Sequence, residues 1–294
     1  MLPIFENYIF APMFHINKYC IVFIVLFLFQ FSAGAKNKIQ RQKFKNEVSI
    51  SWGWNRGQYT PSDLHLKGNN YNFTLKQIIA KDRQSPFGLD PYFKLNRITI
   101  PQYDFRVGYF FKDNWQLSFG FDHMKYVMQQ DQIVAINGCI YNADSTYNGI
   151  YTGSDIQLKS DFLTFEHTDG LNYLNVELRR KEQLFNFKKI KPSKYLDIDM
   201  NAIAGLGVGI MYPRTNTHLL NNKRYDEFHV AGFGFAPVFA LNITFYKFFF
   251  IQSEFKAGYI SMPDIRTTEF KSDKASQHFM FLQENISFGF RYKL

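Results

Sequence analysis

The sequence predicts an all-β fold, a transmembrane antiparallel up-and-down β-barrel of eight strands, and three observations lead there. The first is the stretch from Gln102 to Met128. Tyr103, Phe105, Val107, Tyr109 and Phe111 alternate with Asp104, Arg106, Gly108 and Phe110. After Lys112-Asp113-Asn114 the code repeats, with Trp115, Leu117, Phe119 and Phe121 against Gln116, Ser118, Gly120 and Asp122. Period-two alternation on both sides of a short polar turn is a β-hairpin. One face is aromatic and the other carries charges and glycines, so no aliphatic core exists for a soluble sandwich; a barrel wall with lipid outside and a polar lumen fits. The second observation is composition: 34 Phe, 18 Tyr and 3 Trp stand in 294 residues with a mean hydropathy of only −0.25. After residue 31 no apolar run approaches the roughly 20 residues of a spanning helix. The third is the chain end, Asn285 to Leu294, where Ile286, Phe288, Phe290, Tyr292 and Leu294 share one face.

The elements follow in order. Cys20 to Phe31 is a short apolar core preceded by Lys18 and followed by Ser32-Ala33-Gly34-Ala35, the pattern of a secretory signal peptide. Cleavage is expected after Ala35, and Met13 is the alternative start, since the residues before it exceed what such a signal needs. Residues 36–45 then form a basic tail with Lys36, Lys38, Arg41, Lys43 and Lys45, and the barrel occupies 46–294. Removing the signal leaves Cys139 as the sole cysteine, so the mature chain has no internal disulfide.

Strand one is Glu47 to Trp54. From Asn55 to Pro101 turn chemistry predicts a long loop, with residues 71–83 inside it either a short helix, with Leu75, Ile78 and Ile79 on one face, or strands. The hairpin at 102–128 supplies strands two and three. Residues 129–160 read as a second loop, and strand four runs from about Asp161 to Arg180. A lysine-rich connection through Lys188, Lys189, Lys191 and Lys194 precedes strand five, where Leu196 to Ile210 alternates with Asp197, Asp199, Asn201, Ile203, Gly205, Gly207 and Gly209. Residues 213–226 and 261–276 read as further loops around strands six and seven, which meet at a tight turn, Tyr246-Lys247. Short turns on one side and long loops on the other, with both termini on the turn side, close at eight strands; strands within 71–83 would raise the count to ten.

An eight-stranded barrel has room inside only for side chains. The inward positions include Asp104, Arg106, Asp122, Glu177, Arg179, Asp197, Asp199, Glu254, Lys256 and Arg291, of mixed sign. Charges in so narrow a lumen have to pair, which predicts a structural network there.

Gly53-Trp-Asn-Arg56, Ser62-Asp-Leu-His65, Asp122-His-Met-Lys-Tyr126 and Glu166-His-Thr-Asp-Gly-Leu-Asn-Tyr173 give the chain a resemblance to the small outer-membrane β-barrel proteins of Bacteroidota. The resemblance implies a Gram-negative outer membrane as the location and brings no established activity. The C-terminal strand resembles the terminal strand that barrel-assembly machinery recognises, with Leu294 in place of the usual Phe. Outer-membrane lipids and lipopolysaccharide are the implied partners; nucleic acid is not, the formal charge of +9 notwithstanding. No cofactor is expected.

Two sets of candidate residues stand out. His167-Thr-Asp-Gly170 is similar to the His-x-Ser-Asn-Gly motif of outer-membrane lipid A deacylases and phospholipases. His167 takes the position of the base, but Asp169 stands where the nucleophilic serine belongs, and Gly170 where the asparagine does. Independently, the hairpin parity places Asp122 and His123 near Glu166, His167 and Asp169 at the outer rim, under a first loop carrying Asp63 and His65. Imidazoles with carboxylates could act on an envelope lipid or hold a metal, although no tight ligand spacing appears. The functional expectation is a structural or surface ligand-binding role through the loops; the alternatives are a lipid hydrolase using His123, Glu166, His167 and Asp169, or a narrow porin-like solute channel.

Overall fold

The computed structural model describes residues 42–143, 146–187, 197–220 and 222–294. The expected signal peptide, most of the basic tail, Leu196 and the lysines of the 188–194 connection lie outside these residues. The strands in chain order are β1 (Glu47–Tyr59), β2 (Ser62–Lys67), β3 (Tyr71–Ile78), β4 (Ala80–Lys81), β5 (Tyr103–Lys112), β6 (Trp115–Met128), β7 (Ile133–Ile140) and β8 (Gly149–Gln157), then β9 (Leu163–Asn186), β10 (Ile198–Met211), β11 (Arg214–Leu219), β12 (Tyr225–Phe228), β13 (Gly232–Phe245), β14 (Phe249–Arg266) and β15 (Lys274–Lys293).

Eight of them, β1, β5, β6, β9, β10, β13, β14 and β15, pair antiparallel in that order, and β15 returns to β1 through the register Glu47↔Lys293 to Tyr59↔Phe281, closing the ring. Closure leaves no strand edge within the ring, as backbone groups facing hydrocarbon require. The alternation predicted from sequence sets which side chains face out. Ile50, Val107, Leu117, Phe119, Val176, Leu206, Val208, Phe233, Phe239, Ile251 and Phe290 are all exposed on the outer surface, Val208 at 60% and Phe233 at 55%. The outward apolar runs Tyr103–Phe111 and Met200–Ile210 match the length of about 9–11 residues at which a tilted strand crosses a bilayer. The tight turns lie together at one end. In the turn Phe245–Phe248, Tyr246 (φ 49°) and Lys247 (φ 67°) both adopt positive φ, the conformation that matches strand twist in a type I′ turn.

Three expectations need correction. The first is the helix within 71–83: Tyr71, Phe73 and Leu75 point one way along an extended β3, because alternating rather than helical spacing places the large side chains in the core. Second, these strands do not raise the ring to ten, since β2 and β3 join the sheet beyond it. Third, the predicted loops are largely strand. β1 runs on to Tyr59; β7 and β8 form a hairpin within 129–160, β11 and β12 another within 213–228, and β14 and β15 extend into 261–276. At this loop end β15 changes partner from β1 to β2 (Lys274↔Lys67), and β3, β7 and β8 continue the sheet outward.

The interior has two storeys. Level with the apolar band it is polar. Toward the loop end, Leu64, Leu66, Phe73, Leu75, Met124, Tyr126, Phe165, Leu171, Tyr173, Ile260, Phe279 and Phe281 form a continuous buried apolar core.

Candidate functional site

The lumen residues come from inward positions of neighbouring strands. Three cations, Arg106 (β5), Arg179 (β9) and Lys256 (β14), meet three carboxylates, Asp122 (β6), Glu177 (β9) and Glu254 (β14). Lys256 Nζ lies 2.5 Å from Asp122, 3.1 Å from Glu177 and 3.6 Å from Glu254. Arg106 contacts Glu177 at 2.8 Å and Asp122 at 3.4 Å; Arg179 contacts Glu177 at 2.5 Å and Glu254 at 2.8 Å. Remaining lone pairs are taken up by amides: Asn175 donates to Asp122, and Gln252 and Asn285 donate to Glu254. Asp104 accepts from Asn55 and Gln283. Small residues on adjacent strands make room for these side chains. A Cβ at Gly120 would sit 2.4 Å from the Arg106 guanidinium, and one at Gly207 would sit 2.6 Å from Glu177 Cγ.

A second charge group occupies the turn end. Arg291 lies 3.3 Å from Glu47 and 3.9 Å from Asp199, which also accepts from Gln183 and Asn186. Asp197 stands at the edge of this group, where its backbone carbonyl accepts from the Tyr246 amide. Phe44 is fully buried here, with Lys181 4.9 Å and Arg291 5.2 Å from its ring, and covers the lumen mouth. Lys181 is 4% exposed. Its parity with Arg179 and Glu177 on β9 puts it inward. The space between the two groups, lined among others by Arg106, Arg179, Lys181 and Arg291, is a cavity of about 30 Å³, enough for one or two waters.

The rim constellation does not assemble. Asp122 and His123 are consecutive on β6 and so face opposite ways, Asp122 into the lumen network and His123 outward, where it stacks on Tyr103 (5.0 Å) and hydrogen-bonds Asn172 (2.8 Å). Glu166 and His167 are split in the same manner. Glu166 faces Arg83 (3.0 Å) and accepts from Thr168, while His167 is fully buried in the apolar core between Phe165 and Tyr126, its Nδ1 2.9 Å from Thr215 Oγ1.

Strict alternation would put Asp169 on the side of His167. However, the β6–β9 ladder shifts register between Met124↔Leu171 and Tyr126↔His167, so Thr168, Asp169 and Gly170 stand opposite Lys125 alone. Gly170, at φ 129°, provides the backbone for this bulge. Asp169 is thereby turned outward, 3.5 Å from Arg214. Burial pushes the His167 imidazole down to about 3, so the ring is neutral, enclosed and out of reach of a substrate. Asp63 and His65 lie apart on β2, where Asp63 holds Lys76 (2.7 Å) and His65 bonds Asn72 (2.8 Å). Among the described residues no cluster of His, Cys, Asp and Glu could hold a metal ion.

No protein family matches the chain, and no curated protein does. Among solved structures it is similar to the attachment invasion locus protein Ail of Yersinia pestis, at 12% identity over 84% of this chain and 99% of that one, with a TM-score of 0.30. It is also similar to the outer membrane protein OprG of Pseudomonas aeruginosa, at 12% identity over 87% and 100%, TM-score 0.37. A third is the outer membrane protease OmpT of Escherichia coli, at 8% identity over 84% and 96%, TM-score 0.25. Likeness this loose says nothing about what the chain does, which has to be argued from its own residues.

Proposed function

We propose that the chain is an integral outer-membrane barrel of a Gram-negative bacterium that serves as a closed scaffold for a surface-binding or structural sheet at its loop end. The observation that carries this is the inversion of the wall: apolar side chains outside on every ring strand and paired charges inside. A soluble barrel would bury the first set and expose the second. The filled lumen, capped by Phe44 below and by the apolar core above, argues for a scaffold over a solute channel. The enclosure of His167 and the outward turn of Asp169 argue against a hydrolase at the rim.

What remains available to a partner is the loop-end sheet. Among the described residues its last strand, β8, pairs with β7 alone, and Ile150 on it is 86% exposed. An impermeant maleimide tests the arrangement in intact cells, in a Cys139→Ser background. Ile150→Cys is expected to label in intact cells, and Tyr246→Cys, in the short turn, only after permeabilisation. The reverse pattern would overturn the orientation, and labelling of both without permeabilisation would overturn the membrane-spanning reading.

A further inference from the structure

The barrel wall changes composition where β5 ends. β1 pairs with β5 only from Val48 to Trp54; above Tyr103 the upper part of β6 pairs with β4 instead (Met128↔Ala80, Val127↔Lys81). The chain linking β4 to β5, residues 82–102, crosses the outside of the wall at this level and is pinned to it at both ends. The Gly57 amide donates to Asp82 (2.8 Å), Gln84 donates to the Asn55 carbonyl, and Lys125 Nζ donates to the Ile100 carbonyl (2.9 Å). Midway, Tyr92 and Phe93 pack on Trp54, 5.6 and 5.3 Å between ring centres, and Trp54 also meets the outward-facing Phe288 at 5.8 Å. This segment therefore joins the upper margin of the apolar band without a break.

Its own apolar side chains are turned away from the protein: Phe87 is 80% exposed, Leu89 81%, Phe93 54%, Leu95 90% and Ile100 45%. So many large apolar groups on one short pinned stretch constitute a contact surface. Their continuity with the band identifies what covers them. Resting on the barrel reading above, we infer that residues 86–100 form an interfacial membrane element that seats Phe87, Leu89, Phe93, Leu95 and Ile100 in the lipid leaflet at the loop end of the barrel.

Charge settles which property of the lipid is recognised. Asp90 pairs with both Lys94 (3.3 Å) and Arg97 (3.0 Å), leaving a single net positive charge between Pro86 and Pro101. One net charge attracts an anionic surface only weakly, whereas five exposed apolar side chains respond to any hydrocarbon boundary. The element thus reads the leaflet through its apolar face, with Lys94 and Arg97 at headgroup level, and anionic lipid is not required.

The test places a bimane on Leu95→Cys, and separately on Leu89→Cys, in full-length protein carrying Cys20→Ser and Cys139→Ser, reconstituted in phosphatidylcholine vesicles. Val208→Cys, in the middle of the band, reports whether the barrel itself is inserted. Quenchers are a nitroxide placed shallow on the acyl chain and aqueous iodide. Labels at 95 and 89 are expected to be quenched by the shallow nitroxide on the scale seen for acyl-chain quenching at Val208, to be shielded from iodide, and to behave alike when phosphatidylglycerol is added. If Val208 is quenched by lipid while both segment positions respond only to iodide, the interfacial element is overturned and the barrel reading stands. If Val208 is also blind to lipid, the barrel reading falls and this inference falls with it. Lipid quenching that appears only with phosphatidylglycerol would overturn the apolar mode of recognition.

Discussion

Lys256→Met is the sharpest perturbation of the lumen. The ammonium is fully buried and touches all three carboxylates of its group, so the change converts a balanced set of three cations and three anions into one with an uncompensated negative charge. Methionine fills a similar volume, which separates loss of charge from loss of packing. Breaking a buried ion pair by removing one partner costs about 3–5 kcal/mol, because the orphaned charge keeps its desolvation penalty. Asp122→Asn in the same background restores the balance, and its side chain can accept from Asn175 as the carboxylate does. The double variant is therefore expected to recover about 0.5–3 kcal/mol of that loss, the coupling characteristic of residues in direct contact. Equilibrium unfolding in urea, with the barrel refolded in detergent micelles and followed by the gel mobility of the folded form, gives both numbers. If Lys256→Met unfolds within about 0.5 kcal/mol of the parent, the reasoning is refuted, since surface-like substitutions behave in that way. A double variant no better than the sum of the single ones would equally show that these charges do not act as a unit.

Other outcomes follow from the same geometry. His167 is neutral in the fold and pushed down to about 3 by burial, while an unfolded histidine titrates near 6.5, so the unfolded chain binds the extra proton between those values. Stability is thus fully present above about pH 6.5 and lost as the pH falls toward 3, by roughly 3 kcal/mol between pH 7.5 and 4.5 at about 1.4 kcal/mol per pH unit. His167→Phe should show a shallower acid loss by that amount in paired urea titrations; equal slopes would contradict a buried neutral imidazole. Gly120→Val drives a side chain into the space of the Arg106 guanidinium and is expected to cost about 3 kcal/mol or more by displacing it from Asp122 and Glu177. Thermal loss of the folded gel band would report it, and a parental melting profile would show that Arg106 can leave the network freely.

The ring was legible in sequence because each strand within the apolar band has to satisfy two solvents at once. Leu206, Val208 and Ile210 alternate with glycines that leave room for Glu177 and Arg179 on the next strand, and such a pattern has one reading. The loop end was not legible for the corresponding reason. There the strands bury one face against the chain's own core and leave the other in water, and their short apolar positions, such as Leu64 and Leu66 or Tyr71, Phe73 and Leu75, lie between turn signals that read as loop. Strands like β2 and β3 are specified by long-range partners, Lys274 to Gln277 on β15 and Ile136 to Ile140 on β7, which no local window contains. The rim site failed on strand alternation, which splits Asp122 from His123 and Glu166 from His167, and, for Asp169, on the bulge at Gly170. Gly170 signalled the bulge, but nothing in His167-Thr-Asp-Gly170 alone distinguishes a glycine that flips the register from one that merely lines a wall.

The same continuity of strands bears on how a partner would be met. β6, β9, β14 and β15 run unbroken from the apolar band into the loop end, and the core enclosed there contains Met124, Leu171, Ile260 and Phe279 from those four strands. Moving the loop-end sheet relative to the ring would require opening hydrogen-bonded ladders or exposing that core, either of which costs several kcal/mol. The surface presented by β2, β3, β7 and β8 is accordingly preformed, and a partner that docks there orders little of the chain as it binds. The sealed lumen beneath contributes rigidity: the balanced ion group ties β5, β6, β9 and β14 across the barrel interior, and the apolar core above ties the same wall to the sheet beyond it. Under the proposed function, such a molecule would be a pillar that holds one surface at a fixed height and orientation above the bilayer. On the proposed reading, recognition is carried by what β8 and its neighbours expose, since the cavity described among the lumen charges, about 30 Å³, has room only for water.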